Sequence, residues 1–195
     1  MREHFECMDG RFSYAGSTPH YAPDRPFDTK HIRLEVVLDF ARKSLKGQCV
    51  TTLQAIADQA TEMVFDAVDF KDLKVSSRGK TLKFNYTGRQ IKIQWPSPIK
   101  RGAIVEVLVN YKVVRPKLGL HFIGPDKQYP HKPVQAWTQG EDEYNRYWFP
   151  CHDAPQERTT TEMIVTVPAN YTAISNDVRI PAALKREFFA MRGCS

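Results

Sequence analysis

Residues 139–155 hold the side chains with chemistry to offer: Gln139-Gly140-Glu141-Asp142-Glu143-Tyr144-Asn145-Arg146-Tyr147-Trp148-Phe149-Pro150-Cys151-His152-Asp153-Ala154-Pro155. Three consecutive acids in a chain of net charge +6 invite a cationic ligand. If this segment is extended, alternate side chains share a side, so Gln139, Glu141 and Glu143 converge while Asp142 faces away. A carboxylate beside an amide suits a protonated amine next to a carbonyl, because the carboxylate offsets the charge and the amide both donates and accepts. On spacing alone a solvated acidic loop is the favoured reading of this triplet. Arg146, close to three aromatics and to Asp153, reads as a stacked and paired guanidinium that locks the loop. Cys151 and His152 are neighbours whose side chains diverge in extended chain, so they make a buried thiol and a surface imidazole rather than a nucleophile and its base.

The remaining histidines and cysteines supply no other centre. His4, His20, His31, His121, His131 and His152 have no ligand spacing, and no His-Glu-x-x-His is present. Cys7, Cys49, Cys151 and Cys194 form no Cys-x-x-Cys pair, which excludes a zinc knuckle or a dense disulfide framework and points to free thiols in a reducing compartment. No metal site and no catalytic residue is read from these spacings.

The elements that must hold this stretch are strands. Ile32, Leu34, Val36, Leu38 and Phe40 alternate with mostly polar residues, the period of a long half-buried strand. A second alternating run starts at Gly47 and passes through Cys49, Thr51, Leu53 and Ala55, with Lys43 to Gly47 as the turn between them. Shorter runs follow at Glu62 to Asp66, Phe70 to Val75, Thr81 to Tyr86 and Gln90 to Trp95. After Gly102, Val105, Val107, Val109 and Tyr111 share the more apolar face and Ile104, Glu106, Leu108 and Asn110 the other. Thr159 to Pro168 resumes the pattern. Between them, Pro116, Gly119, Gly124-Pro125, Pro130 and Pro133 break the chain into an irregular, loop-rich crossing. Short strands at such spacing predict an all-β fold, a sandwich or saddle of mostly antiparallel strands. The spacing of Leu184, Phe188 and Met191 admits a short C-terminal helix.

Residues 1–28 read as an irregular lead-in, 29–176 as the β domain and 177–195 as a divergent tail. The 28 Lys and Arg residues are scattered rather than gathered into a stripe, so no nucleic-acid partner is expected. No apolar run reaches the ~20 residues of a membrane-spanning helix and the first thirty residues lack a signal-like core, so a cytoplasmic protein without a membrane partner is expected.

The series Gln139-x-Glu141, Arg146, Phe149-Pro150-Cys151-x-Asp153-x-Pro155 resembles the N-terminal domain of the aminopeptidase N family of zinc metallopeptidases, the gluzincin aminopeptidases that include leukotriene hydrolase. The resemblance runs from the His31-Ile32-x-Leu34 strand through Gly119-Leu120 to Ala173-x-Ser175-Asn176. It implies a saddle-like β sandwich in which Glu141 helps bind the free α-amino group of a peptide and Gln139 lines the first specificity pocket. Arg146, Cys151 and Asp153 are structural by the same likeness. The family's zinc, general base and transition-state tyrosine belong to a second domain that this chain does not include. The resemblance therefore implies zinc in full-length members, no cofactor held by this chain, and a peptide N-terminus and a missing catalytic domain as partners. The chain would anchor substrate and be inactive alone. Beyond Ser175-Asn176 the sequence departs from the family pattern, as a truncated or frame-altered end would. Two other readings are open: a non-catalytic binding module of the same fold, as in the large subunit of the general transcription factor TFIID, and a carbohydrate-binding sandwich using Trp95 and Trp137.

Overall fold

The computed structural model describes residues 25–155, 157–175, 178–180 and 186–191, the last two segments by their backbone. Its regular structure is nearly all strand. β1 (Phe27–Asp39) carries the expected alternation, and its Ile32, Leu34 and Val36 are buried. It pairs antiparallel with β2 (Ser44–Ala55) and parallel with β11 (Thr160–Thr166), in a register that sets Leu34 against Cys49 on one side and Met163 on the other. A parallel neighbour requires a long crossing between the two strands, and here that crossing carries most of the fold.

The large sheet has eight strands in the order β12-β13-β11-β1-β2-β8-β4-β5. Its other members are β4 (Lys71–Ser77), β5 (Lys80–Thr81), β8 (Ile104–Val114), β12 (Val178–Ile180) and β13 (Arg186–Met191). A three-stranded sheet places β7 (Gln90–Ile99) between β3 (Ala60–Asp66) and β6 (Lys83–Tyr86). One buried cluster joins Phe65, Ile91 and Ile93 of the small sheet to Cys49, Leu53, Val107 and Val109 of the large one. On β8 the buried side is Val105, Val107, Val109 and Tyr111, as the alternation predicts, while Ile104 is exposed. This is an all-β sandwich, and no described helix is long and apolar enough to cross a membrane.

Three local expectations are revised. The β1–β2 turn lies at residues 40–43 rather than Lys43 to Gly47. The Asp39 carboxylate accepts the Arg42 amide at 2.9 Å, and Lys43, at φ +49°, closes the turn four residues before Gly47. Gly47 therefore sits inside β2, opposite Tyr111. A Cβ there would lie 2.2 Å from the Tyr111 ring, so the glycine makes room for an aromatic side chain rather than for a bend.

The proline-broken crossing is not wholly irregular, since β9 (Leu120–Ile123) and β10 (Gln135–Thr138) form an antiparallel ladder. At the C-terminus the expected helix is a strand. β13 pairs antiparallel with β11, Phe188 opposite Ile164 and Phe189 opposite Met163, which covers an edge that would otherwise present unpaired amides and carbonyls. Of the three residues that suggested a helix, Leu184 lies outside the described residues.

Tyr111 is buried and stacked on Phe70, ring centroids 4.8 Å apart. Gly47→Ala should therefore cost about 1–3 kcal/mol by overpacking. The loss should shrink in a Tyr111→Val background, where the ring is gone. Urea unfolding of the two single variants and the double variant checks this, and additive losses would show that the contact is not the cause.

Candidate functional site

The site segment begins where β10 ends. The Gln139 amide donates to the Gly119 carbonyl at 2.9 Å, extending the β9–β10 ladder by one bond. Gly119 has φ +76°, and a Cβ there would fall 2.0 Å from the Tyr144 carbonyl oxygen. Only a glycine permits both this backbone conformation and this approach. Residues 141–144 form a turn that closes through the Tyr144 amide on the Gly140 carbonyl at 3.0 Å. The Glu141–Asp142 peptide bond within it is cis. A single 3-10 turn, Asn145–Tyr147, follows.

The turn changes which acids belong together. In extended chain Glu141 and Glu143 would converge, but here Glu143 reaches Arg146 at 2.7 Å across three residues. Gln139 and Glu141 flank Gly140 with exposed side chains, and neither side chain has a hydrogen bond or ion pair to another described residue. Asp142 is likewise exposed and unpaired. The amide and one carboxylate thus remain available, and the second carboxylate is committed to Arg146.

Arg146 pairs as expected, without the stacking. Its Nε and its backbone amide both donate to Asp153 Oδ2 at 3.0 Å, and one guanidinium nitrogen donates to the Asp153 carbonyl at 2.9 Å. No aromatic ring lies under the guanidinium among the described residues. Burial works against its charge, but the hydrogen bond to Asp153 and the fields of Asp66, Asp153 and Glu143 more than offset that and raise its pKa. Asp66 completes the arrangement, its carboxylate accepting the Asp153 amide at 3.3 Å and the Gln90 side-chain amide at 3.1 Å. The backbones of Asp66 and Cys151 form an antiparallel bridge, at 2.7 and 3.2 Å, and the Val68 amide donates to the Arg146 carbonyl at 2.8 Å. The loop is stitched to the end of β3 along its length.

Between these stitches Trp148, Phe149, Pro150 and Cys151 are buried, with the Trp148 and Phe149 rings edge to face at 4.6 Å. Cys49 and Cys151 are free and buried. Burial pushes the Cys49 thiol up to about 12 and the Cys151 thiol well above its ordinary value. Neither is a nucleophile, because the thiolate is the reactive form. His152 is half-buried rather than a surface residue, its Nε2 is buried without a partner, and burial lowers its pKa. No group of three or more His, Cys, Asp or Glu residues among those described is placed to hold a metal ion, so they do not fit the zinc of the family as a ligand set. Sequence reasoning missed Asp66, which sits 87 residues from the Asp153 it anchors and has no local signal.

Two outcomes follow from this geometry. Asp153 has a side chain only 4% exposed, and Asp153→Asn should destabilise the fold by about 2–4 kcal/mol, near the lower bound for breaking a buried pair because Arg146 keeps some solvent. Urea unfolding with an unchanged m-value reads this, and an unaltered midpoint would contradict it. His152 has a folded pKa below its unfolded one, so the unfolded chain takes up the proton first. Its contribution to stability is full above pH ~6.5 and is lost as pH falls toward the folded pKa. The thermal midpoint should therefore drop less steeply on acidification in His152→Gln than in the parent chain.

Residues 18–187 match the family described as the Peptidase M1 N-terminal domain. The chain is 24% identical over 166 residues to leukotriene A-4 hydrolase of Xenopus laevis, covering 82% of this chain and 27% of that protein. It is 22% identical over 174 residues to human aminopeptidase B, covering 77% of this chain and 27% of that protein. The chain thus spans about a quarter of the length of these relatives. Among solved structures, an M1 zinc metallopeptidase mutant of Deinococcus radiodurans bound to a Tyr-Ser-Ala substrate superposes with a TM-score of 0.72 at 21% identity, covering 86% of this chain and 40% of that one. These comparisons give no support to the transcription-factor scaffold. With most of its length matched, the chain belongs to the Peptidase M1 N-terminal domain family.

Proposed function

We propose that this chain is the substrate-anchoring N-terminal domain of a zinc aminopeptidase, that Glu141 takes the free α-amino group of a peptide and Gln139 its first residue, and that the chain alone does not hydrolyse peptides. The observation that carries this is the contrast within one loop. Arg146, Glu143, Asp153 and Asp66 are engaged with one another, while Gln139 and Glu141 are exposed and unpaired on a backbone held by Gly119 and Gly140. A carboxylate that plays no part in holding its loop together is free to meet a ligand. Membership of the family supports the same reading, as does the tripeptide substrate of the Deinococcus radiodurans relative. Zinc and the hydrolytic groups would come from a catalytic part of the protein, the second partner on this reading besides the peptide N-terminus. The compartment is then the cytoplasm, in keeping with the free thiols of Cys49 and Cys151.

The test uses a tripeptide with a free amine and its N-acetylated form, titrated into the labelled chain. Amide resonances of residues 139–143 should shift with the first and not with the second. Glu141→Gln should weaken binding about ten-fold or more, the scale of one charge-assisted contact. Equal shifts with both peptides, or an unchanged affinity in the variant, would discard the anchor. Added zinc should bring no hydrolysis of amino-acid anilides, and turnover above background would end the claim that the chain is inactive alone.

A further inference from the structure

A second concave site lies against the β9–β10 ladder, lined by residues other than Gln139 and Glu141. Its volume is about 530 Å³, and its walls include Lys43, Arg115, His121, Phe122 and Trp137. Lys43 closes the β1–β2 turn and Arg115 follows β8. The Arg115 amide donates to the Lys43 carbonyl at 2.8 Å, which fixes the two cationic residues side by side. Across from them His121 and Trp137, opposite each other on β9 and β10, stack with ring centroids 4.3 Å apart.

The charge of this cavity is uncompensated. Neighbouring cations have found partners, Arg42 with Asp39 at 3.1 Å and Lys117 with Asp69 at 3.3 Å. Lys43 and Arg115 have no ion pair among the described residues, and no acidic side chain lines the cavity. Two like charges held together by backbone repel unless an anion lies between them. A guanidinium fork and an ammonium are the groups that meet a carboxylate or phosphate, and the imidazole and indole carry N–H donors of their own. The lining offers donors from four residues, and no carboxylate in it competes for them.

We propose that this cavity is an oxyanion-binding site, taking a phosphate or carboxylate group of a small ligand between Lys43 and Arg115 and against the His121–Trp137 wall. The oxyanion has two sources that share this chemistry: a phosphoryl group, or the free C-terminal carboxylate of a short peptide. The site shares no lining residue with the Glu141 anchor, and its charges do not depend on that reading.

Trp137 is 44% exposed and reports on the cavity by its fluorescence. The whole chain is titrated at low ionic strength with inorganic phosphate, with an N-acetylated tripeptide acid and with the same tripeptide as its C-terminal amide. Acetylation silences the amine anchor, so failure of that reading does not affect this one. A saturable change with phosphate alone assigns a phosphoryl ligand, a change with the acid alone assigns a peptide carboxylate, and a change with both assigns an unselective oxyanion site. The amide should give none. Both cationic residues have φ +49°, a conformation that asparagine tolerates, so Lys43→Asn with Arg115→Asn removes the charges with the turns kept. That double variant should bind about ten-fold more weakly or worse. Should it fail to fold, Lys43→Gln and His121→Gln, each alone, should weaken binding in the same direction. No saturable response to either anion, a response to the amide equal to that of the acid, or an affinity unchanged in the variants would overturn the proposal.

Discussion

The buried carboxylate of Asp153 is the constraint from which the central loop takes its shape. An ionised acid removed from water is tolerated only when its lone pairs are filled and a counter-charge is close. Asp153 meets both conditions through one residue, because the backbone amide and Nε of Arg146 converge on the same oxygen. The neighbouring Asp66 would make matters worse if it were merely near. Instead it accepts the Asp153 amide and the Gln90 side chain, and the guanidinium lies in the field of both acids. One cation thus serves three acids, since Glu143 closes on it from the solvent side. Everything from Tyr144 to Asp153 is arranged around that count.

The apolar part of the loop follows from the polar part. With Arg146 and Asp153 tied at its two ends, the six residues between them cannot run straight, and Trp148, Phe149, Pro150 and Cys151 are turned into the core. Their burial supplies a hydrophobic contribution that a surface loop would lack. The backbone bridge at Cys151 satisfies amides and carbonyls that burial would otherwise strand. Glycine performs a different service at two places. Gly119 lets the turn approach the start of β9, and Gly47 lets Tyr111 lie across β2. Both mark close approaches, and a glycine in a sequence reads more readily as a bend.

That difference explains what was legible beforehand. The long strands announced themselves because β1, β2 and β8 bury one face and expose the other, so the two-residue period survives in the residue types. β9 and β10 have four residues each, flanked by Gly124-Pro125 and Pro133, and too few repeats for a period to show. The tail's Phe188 and Phe189 suit a strand, but what makes them one is the open edge of β11, a tertiary fact. Within the motif, the Arg146–Asp153 pairing could be read from complementary charge at short range. The fate of Glu143 could not, because it turns on whether residues 141–144 extend or fold back. Asp66 was beyond reach for a simpler reason: only the folded chain brings it to Asp153.

The same accounting leaves two acids of the loop exposed and outside this pairing. In a loop whose other acids are paired, Glu141 and Asp142 stay exposed and unpaired on the surface of a basic protein. If Arg146 had closed on Glu141 instead of Glu143, the loop would be as well tied and the acid two residues from Gln139 would be spent. The turn at residues 141–144 brings Glu143, three residues before Arg146, onto the guanidinium, and Glu141 has no such contact. The geometry that locks the loop is therefore also the geometry that leaves Glu141 unengaged. Gln139 gains its order from the backbone alone, through Gly119, with its amide side chain still free.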